Sequence, residues 1–321
     1  MPQATVESAQ EAPKNIATGV LLALAGSIAF SGKAIIVKLG YRYGVDAVTL
    51  LMYRMLIALP FLLALSWWAG RGQAALTRKD WWRIIFLGFS GYYLASFLDF
   101  AGLQYISASL ERLILYLNPT LVLLLGWFLW RKKISRQQWT AFAVSYAGVL
   151  LVFGHELLLH GVGTGAGTGI GTGASNPQGT ALGSALVFGS AVSYALYLSF
   201  SGELVQKLGS LRLAGLATSV ACLLCIVQFV VLRPLSAAIV PTPVLWLSLL
   251  NATACTVAPV LMVMMAIERL GAAKTSQIGM VGPLSTILLG VVFLGEALNV
   301  WIIAGTMLVL SGVYLVTKKP K

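Results

Sequence analysis

Five ionisable side chains lie within long apolar stretches of the 321-residue sequence, namely Lys33, Arg54, Asp99, Glu111 and Arg112. A charged group inside a lipid bilayer is costly, so it commonly pairs with another group or marks a pathway for solutes or ions. One interpretation is that Arg54 or Lys33 binds a substrate carboxylate. On the same interpretation, Asp99 or Glu111 takes part in coupling to protons. The alternative is that the five residues form ion pairs between helices or extend to the membrane interface.

Aromatic and amide side chains supply a second group of candidates for a solute-binding surface. These are Tyr92, Tyr116, Tyr194, Tyr197 and Gln277. A small-molecule pocket is usually mostly apolar with a few polar groups, and tyrosine provides both characters. The alternative is that these residues pack between helices or form hydrogen bonds across them.

The sequence carries no pattern that predicts catalysis, a metal site or a cofactor. Its two histidines, His155 and His160, lie in or beside a glycine-rich stretch, and no His-x-x-Glu-His or Gly-x-Ser-x-Gly pattern occurs. Cys222 and Cys225 have the spacing of a redox or zinc pair, but they lack further ligands and a polar neighbourhood. We therefore expect no catalytic residue and no bound metal.

Composition identifies the environment of these groups as a membrane. Hydrophobic residues make up 58% of the chain and charged residues 10%, and the mean hydropathy is +0.87. A soluble domain carries about 25% charged residues, which this chain could not supply to a water-facing surface. The net charge of +12 does not indicate nucleic-acid binding, because Lys and Arg lie in short clusters between apolar runs. We expect an all-α integral membrane protein in contact with the lipid bilayer.

The apolar runs predict ten transmembrane helices, since a helix needs about 20 residues to cross the hydrocarbon layer. We place them at roughly 16–38, 47–69, 82–104, 108–130, 135–154, 180–201, 212–232, 243–267, 275–294 and 298–317. They form two groups of five, within 16–154 and 180–317. A polar tail (1–15), a flexible Gly/Thr-rich loop (155–179) and a basic tail (318–321) complete the chain.

The basic residues predict the orientation of the helices. Of the 22 Lys and Arg, 16 fall on one side of the expected membrane and 3 on the other, in loops that alternate. Cytoplasmic loops carry the excess of positive charge, so both termini are expected in the cytoplasm and the 155–179 loop on the opposite side. The expected location is the cell (inner) membrane.

The two groups of helices resemble each other at an offset of 164 residues. In this alignment, Pro119 matches Pro283, Gly126 matches Gly290 and Gly148 matches Gly312. Because five is an odd number, the second group must enter the membrane in the opposite orientation, as in the inverted repeats of secondary transporters. The two prolines are interpreted as gating kinks in the fourth and ninth helices, since proline removes a helical hydrogen bond.

These residues also resemble a known family. The run Phe-Ala-Gly-Leu-Gln-Tyr at 100–105, Asn118-Pro119 and Tyr-Ala-Gly-Val at 146–149 are similar to one EamA domain. Gly282-Pro283 and Gly295-Glu296 are similar to a second. Two such five-helix domains define the EamA branch of the drug/metabolite transporter superfamily. The first domain departs from the pattern with Arg131-Lys132 in place of Gly-Glu, so Glu296 is interpreted as a loop or helix-end residue rather than half of a symmetric pair.

The resemblance implies an exporter-like carrier of amino acids, other metabolites or amphipathic compounds. Together with the repeat, it predicts a secondary transporter that binds a small molecule and works by alternating access, with protons as the candidate coupling ion. A membrane-embedded enzyme, or a channel or scaffold that transports nothing by this mechanism, is the alternative. The oligomeric state is left open.

Overall fold

The computed structural model describes residues 16–131, 133–161, 177–270, 275, 278, 279 and 281–317. Within these ranges the chain folds into helices, which we number in chain order. They are α1 (Ile16–Tyr41), α2 (Ala47–Gly70), α3 (Arg78–Gly102), α4 (108–130), α5 (Arg136–Gly161), α6 (Pro177–Leu208), α7 (Ser210–Leu232), α8 (242–270), α9 (282–294) and α10 (Val300–Thr317). A short 3-10 helix, Leu235–Ala238, lies between α7 and α8.

Eight of these helices, α1 to α8, are long and apolar enough to cross a membrane by length and composition. Two shorter apolar segments follow, at Leu284–Leu294 and Val300–Leu315. The chain is therefore a multi-pass membrane protein, and the helices lie where the apolar runs predicted them. The count of ten crossings stays a prediction.

Helix boundaries differ from the expected ones at several places. Helix α3 starts at Arg78 instead of 82, and α6 extends over Pro177–Leu208 instead of 180–201. Helix α5 continues to Gly161, so the first seven residues of the predicted 155–179 loop are helical. Residues 162–176 of that loop, like both predicted tails, lie outside the described residues. Helix α1 continues to Tyr41, past the predicted end at 38, and Lys38 is buried within it.

Three of the described helices, α3, α8 and α9, contain a π-helical turn, and the turns in α3 and α8 lie at matching positions. The turn in α3 covers Gly88–Leu94, and the turn in α8 covers Thr253–Val257, about 164 residues further on. A π turn widens the helix and leaves backbone groups displaced from the regular ladder, and such turns frequently occur at functional sites. Both turns face the interior of the bundle, as the site geometry below shows.

The prolines of the repeat also occupy matching positions. Helix α4 breaks after Ala108–Leu115 and resumes as Asn118–Trp130, with Pro119 in the first turn of the second segment. Pro283 likewise lies in the first turn of the segment Gly282–Leu289. A proline in a first turn sacrifices no helical hydrogen bond, so each marks the start of a segment after an interruption and does not bend a continuous helix.

The ends of these two segments match as well. Arg131 and Gly295, 164 residues apart, both have a left-handed backbone, with φ of 50° and 72°. Their amides donate to the carbonyls of Gly126 and Gly290, respectively. Glycine adopts this conformation without strain, whereas arginine meets a steric cost there.

Antiparallel pairs formed by one helix from each half hold the bundle together. Along α2 and α7, Gly70 lies beside Arg212 and Ser66 beside Gly215. Further along the same pair, Met55 contacts Cys222. Rising numbers on α2 meet falling numbers on α7, so the two helices run in opposite directions.

Helices α5 and α10 pack antiparallel through glycine. A Cβ on Gly148 would lie 2.7 Å from the carbonyl oxygen of Gly305, and a Cβ on Gly312 would lie 2.7 Å from that of Ala141. The two contacts are equivalent in the repeat, because Gly312 matches Gly148 and Ala141 matches Gly305 at the offset of 164 residues. Only glycine allows two helix backbones to approach this closely.

Two further pairs are α1 with α8 and α3 with α6. Gly19 lies beside Leu270 and Gly26 beside Val263, which makes the first pair antiparallel. In the second pair, Ser190 donates to the carbonyl of Ala95, and Ser193 to that of Ser90. Each half therefore contributes to a shared interior instead of forming a separate core.

The outer surface of the bundle is apolar, as lipid requires. Tryptophans concentrate around one end of it, at Trp67, Trp68, Trp81, Trp82, Trp127 and Trp139. Tryptophan is enriched at membrane interfaces because its ring is apolar and its N–H is polar. That end also carries the basic loop between α2 and α3, where Arg71 stacks on Trp67 at 3.9 Å from the ring centroid.

Candidate functional site

A cavity of about 370 Å³ lies in the interior between the two halves. Eight helices contribute to its wall. The residues that line it include Phe30, Lys33, Arg54, Tyr92, Asp99, Arg112, Tyr116, Tyr194 and Thr256. The volume is within the range of small-molecule sites, near its lower end. We call this space the central cavity.

Lys33 joins two carboxylates at one side of the cavity. Its Nζ lies 2.5 Å from Asp99 Oδ2 and 3.7 Å from Glu111 Oε1. Asp99 is 2% exposed and Glu111 is fully buried. Asp99 and Lys33 line the cavity, whereas Glu111 lies behind the wall. We call these three residues the charged cluster; one ammonium faces two carboxylates within it.

Arg54 lies on α2 and is only 7% exposed. Its Nε donates to Thr256 Oγ1 at 2.9 Å, across the boundary between the two halves. Its guanidinium carbon lies 5.4 Å from the centroid of the Phe100 ring. Its Nη1 is buried and makes no hydrogen bond. The local reason for this contact is the π turn of α8, where the Thr256 hydroxyl also donates to the carbonyl of Asn251.

Arg112 is held differently. Its Nε donates to Thr286 Oγ1 at 2.9 Å, and its Nη2 donates to the carbonyl oxygen of Phe30 at 3.0 Å. These bonds connect α4 with α9 and α1. Neutral acceptors therefore fix the position of Arg112, and no described carboxylate lies within ion-pair distance of Arg112 or Arg54.

Tyrosines form the aromatic part of the cavity wall. The ring of Tyr92 lies 5.1 Å from that of Tyr197 and 6.5 Å from that of Tyr194, both edge-to-face. Tyr92 and Tyr194 line the cavity, and Tyr197 supports them from behind. Tyr116 lines it from α4 and donates to the carbonyl oxygen of Gly279 at 2.6 Å.

The structure brings most of the candidate residues to one place. All five intramembrane ionisable residues line the central cavity or touch a residue that does, and so do the four tyrosines. Gln277 lies outside the described residues. The first segment of α4 ends just before Pro119, with Tyr116 and Asn118 in the cavity wall. His155 stacks on Trp301 at 5.7 Å, away from the cavity.

Several residues that position the site were not singled out from the sequence as partners of the charges. Thr286 accepts a hydrogen bond from Arg112, and Thr256 accepts one from Arg54. Both hydroxyls lie in the second half, where charge is sparse, and contact charges of the first half. The available signal was a polar side chain within an apolar run, which is common in membrane helices and therefore weak.

Glu296 also has a role that its sequence position did not reveal. Its carboxylate accepts from the backbone amides of Ala108 and Ser109 at 2.7 and 3.3 Å, and from the Ser109 hydroxyl at 2.7 Å. These amides are unpaired donors at the start of α4, where a negative charge is favourable. A loop of the second half thus caps a helix of the first. We call this contact the Glu296 cap.

The chemistry of the cavity follows from its charges. Three cations and two carboxylates lie in or against the wall among the described residues, which leaves one positive charge. The described residues contain no group of three metal-ligating side chains. The site is suited to binding a solute by charge and by apolar contact.

Comparison with known proteins places this architecture among membrane transporters. The profile of the EamA-like transporter family matches twice, over residues 17–154 and 181–318. These matches cover most of the chain, and each contains five of the helices described above. The chain belongs to the EamA-like transporter family.

Individual relatives agree with this assignment. The chain is 28% identical over 291 residues to the uncharacterized transporter YcbK of Bacillus subtilis. This alignment covers 89% of this chain and 88% of the relative. It is 30% identical over 138 residues to an uncharacterized transporter of Archaeoglobus fulgidus, or 43% of this chain and 46% of the relative. A crystal structure at 18% identity superposes with a TM-score of 0.59 over 93% of this chain and 96% of the other, which shows a shared fold.

Proposed function

We propose that the protein is a secondary transporter that exports small metabolites, amino acids or amphipathic compounds, by alternating access. Its central cavity is the solute site, and both termini lie on the cytoplasmic side of the cell membrane. The observation that carries the proposal is a cavity enclosed jointly by the two repeats and containing the ionisable residues of the first. Such groups are costly in a membrane unless they serve a solute or each other.

The pairing of helices supports an inverted relation between the repeats. The second helix of the first family match, α2, lies antiparallel to the second helix of the other, α7. The fifth helices, α5 and α10, are antiparallel in the same way. Equivalent helices that run in opposite directions are what an inverted-topology repeat requires, and transporters with such repeats bind solutes where the repeats meet.

Interrupted helices beside the cavity support movement around it. The π turns of α3 and α8 and the break in α4 all contribute residues to the cavity wall. At such places the backbone can change conformation without breaking a complete ladder of hydrogen bonds. The Glu296 cap and the bond from Arg42 to the Leu294 carbonyl oxygen join the halves at one end of the bundle. We propose that these contacts form the gate on the non-cytoplasmic side.

Access to the cavity from each side of the membrane tests the proposal. Ser96 lines the cavity, and its replacement, Ser96→Cys, introduces one reactive thiol once Cys222, Cys225 and Cys255 are replaced by alanine. A membrane-impermeant thiol reagent is applied to vesicles of each orientation. Alternating access predicts labelling from both sides of the membrane. A chemical cross-link across the Glu296 cap should close the non-cytoplasmic side and abolish labelling from that side alone.

The matched control is Val227→Cys in the same background. Val227 lies on α7 and is exposed on the outer surface of the bundle, where lipid excludes a charged reagent. It should stay unlabelled from either side. Labelling of Ser96→Cys from one side only would contradict alternating access. Labelling that persists from both sides after the cross-link, together with ion conductance, would indicate a channel.

A further inference from the structure

Two guanidinium groups belong to residues of the cavity wall, Arg54 and Arg112, and neither has a carboxylate at ion-pair distance among the described residues. Arg54 is more than nine-tenths buried, its Nη1 is buried without a hydrogen-bond partner, and its contacts are the Thr256 hydroxyl and the Phe100 ring. A buried charge without a counter-ion is unfavourable, and an anion arriving at the guanidinium would relieve that cost.

The other two cations of the cavity are already paired or held by neutral acceptors. Lys33 pairs with Asp99 at 2.5 Å and also lies 3.7 Å from Glu111. Arg112 spends two of its donors on Thr286 and the Phe30 carbonyl. If both carboxylates of the charged cluster are ionised, the five groups carry a net charge of +1, and any proton taken up by the cluster makes the total more positive. In either protonation state the cavity favours an anion.

We propose that the solute is a small organic anion whose carboxylate is bound by Arg54. This inference rests on the proposed function and adds the chemical class of its substrate. The guanidinium offers parallel N–H donors, the geometry that carboxylates match. Nη1 has no hydrogen-bond partner, and the bond from Nε to Thr256 fixes the plane of the guanidinium of this cavity-lining residue.

The remaining wall sets the character of the rest of the solute. Phe30, Met55, Leu62, Leu115 and Val260 line the cavity together with the tyrosines. Rings and aliphatic groups at this density bind an apolar or aromatic body. The cavity volume of about 370 Å³ limits that body to a small molecule.

Binding to the purified full-length protein in a neutral detergent tests the inference without any need to know the natural solute. Three probes share one ring and differ in their polar group: phenylacetate, phenylacetamide and 2-phenylethylamine. Phenylacetate should raise the unfolding temperature in a saturable way at millimolar concentrations, since a ligand of the native state stabilises it. The amide and the amine should bind at least about tenfold more weakly, because a charge-assisted bond is lost or reversed.

Variants of Arg54 identify the residue responsible. Arg54→Gln should weaken phenylacetate binding roughly tenfold to hundredfold, and Arg54→Lys, which keeps the charge but not the paired donors, should weaken it less. Arg71→Gln is the matched control, because Arg71 follows the same helix, α2, at the exposed end and should bind phenylacetate like the wild type. The comparison of the three probes on the wild type stands even where a variant fails to fold.

Equal binding of the amide or amine, no response to phenylacetate, or unchanged binding by Arg54→Gln would overturn the inference. Those results would leave the proposed transport function intact, because two-sided labelling of the cavity requires no solute. Conversely, labelling from one side only, combined with Arg54-dependent binding of phenylacetate, would retain the anion site and remove the transport function.

Discussion

At the scale of single residues, the charged cluster sets one ammonium against two buried carboxylates, so we expect it to affect both the stability of the protein and the electrostatics of the cavity. Lys33 is the one described cation within ion-pair distance of Asp99 and Glu111. Removing Lys33 leaves two buried carboxylates without their cation, whereas removing Lys33 and Asp99 together returns the net charge of the cavity to that of the wild type. A structural role of the cluster can therefore be tested separately from a role in coupling.

A double-mutant cycle separates these two roles. Lys33→Gln should destabilise the protein by about 3–5 kcal/mol, and adding Asp99→Asn should recover a large part of that loss. The measurement is reversible unfolding in mixed micelles, followed by the dependence of transport on the proton gradient. If Lys33→Gln/Asp99→Asn is as stable as the wild type but no longer responds to the gradient, the pair serves coupling. Additive losses of stability would contradict an ion pair.

The Glu296 cap gives a second prediction at this scale. Glu296→Ala removes the acceptor of two amides and a hydroxyl and should destabilise the start of α4 by about 1–2 kcal/mol. Glu296→Gln keeps an acceptor oxygen and should lose less. Amide hydrogen exchange of the segment 108–112 measures the effect. Equal protection in the wild type and Glu296→Ala would show that the cap contributes nothing.

The sequence allowed the residues of the site to be predicted better than their pairing. Charge inside an apolar run is rare, and that rarity indicated Arg54 and Arg112 as candidates, both of which line the central cavity. Their hydrogen-bond partners, Thr256 and Thr286, could not be predicted, because they come from distant helices of the other half and resemble ordinary packing residues. Residue contacts across the repeats depend on tertiary structure that a single helix does not encode.

At the scale of elements, the α5–α10 pair depends on the absence of side chains at its contact. Gly148→Ala should destabilise the protein by about 1–3 kcal/mol, since its Cβ would meet the Gly305 carbonyl at 2.7 Å. Gly154→Ala is the matched control on the same helix, because nothing lies within 4 Å of a Cβ there. That control should be neutral or stabilising by up to about 1 kcal/mol. Equal thermal stability of the two variants would contradict the close contact.

The proline interruptions give a prediction about movement. Replacing Pro119 and Pro283 together by alanine should favour continuous helices and slow the exchange between conformations, while leaving the fold intact. Initial transport rates in proteoliposomes measure the effect, with circular dichroism as the check on helix content. Unchanged rates would remove the two prolines from the gating mechanism.

Elements were predictable from the sequence because lipid imposes their length. The predicted starts of α1, α2, α4 and α5 lie within one residue of the observed starts. The π turns of α3 and α8 were not predicted, because a π turn leaves the length and the mean hydropathy of the apolar run almost the same as in a regular helix. The prolines indicated where two helices are interrupted, although the structure places each in a first turn.

At the scale of the whole molecule, the account rests on two repeats that share one interior. Matching features recur 164 residues apart, including the left-handed residues Arg131 and Gly295 and the glycine contacts of α5 and α10. Every pair of helices described here joins one half to the other, so movement of one half changes the cavity at both ends. Interfaces of this kind favour discrete alternative packings over continuous deformation.

Distances across the two ends of the bundle test this central claim most directly. One pair of spin labels is attached through Tyr43→Cys and Leu298→Cys, and a second through Ala75→Cys and Gln206→Cys, in the background without native cysteines. Each pair joins the two halves, at opposite ends. The account predicts two distance populations for each pair of labels. When a change of pH or added phenylacetate lengthens the distance at one end, the distance at the other end should become shorter. A single distance at both ends under all conditions, or ends that open together, would contradict it.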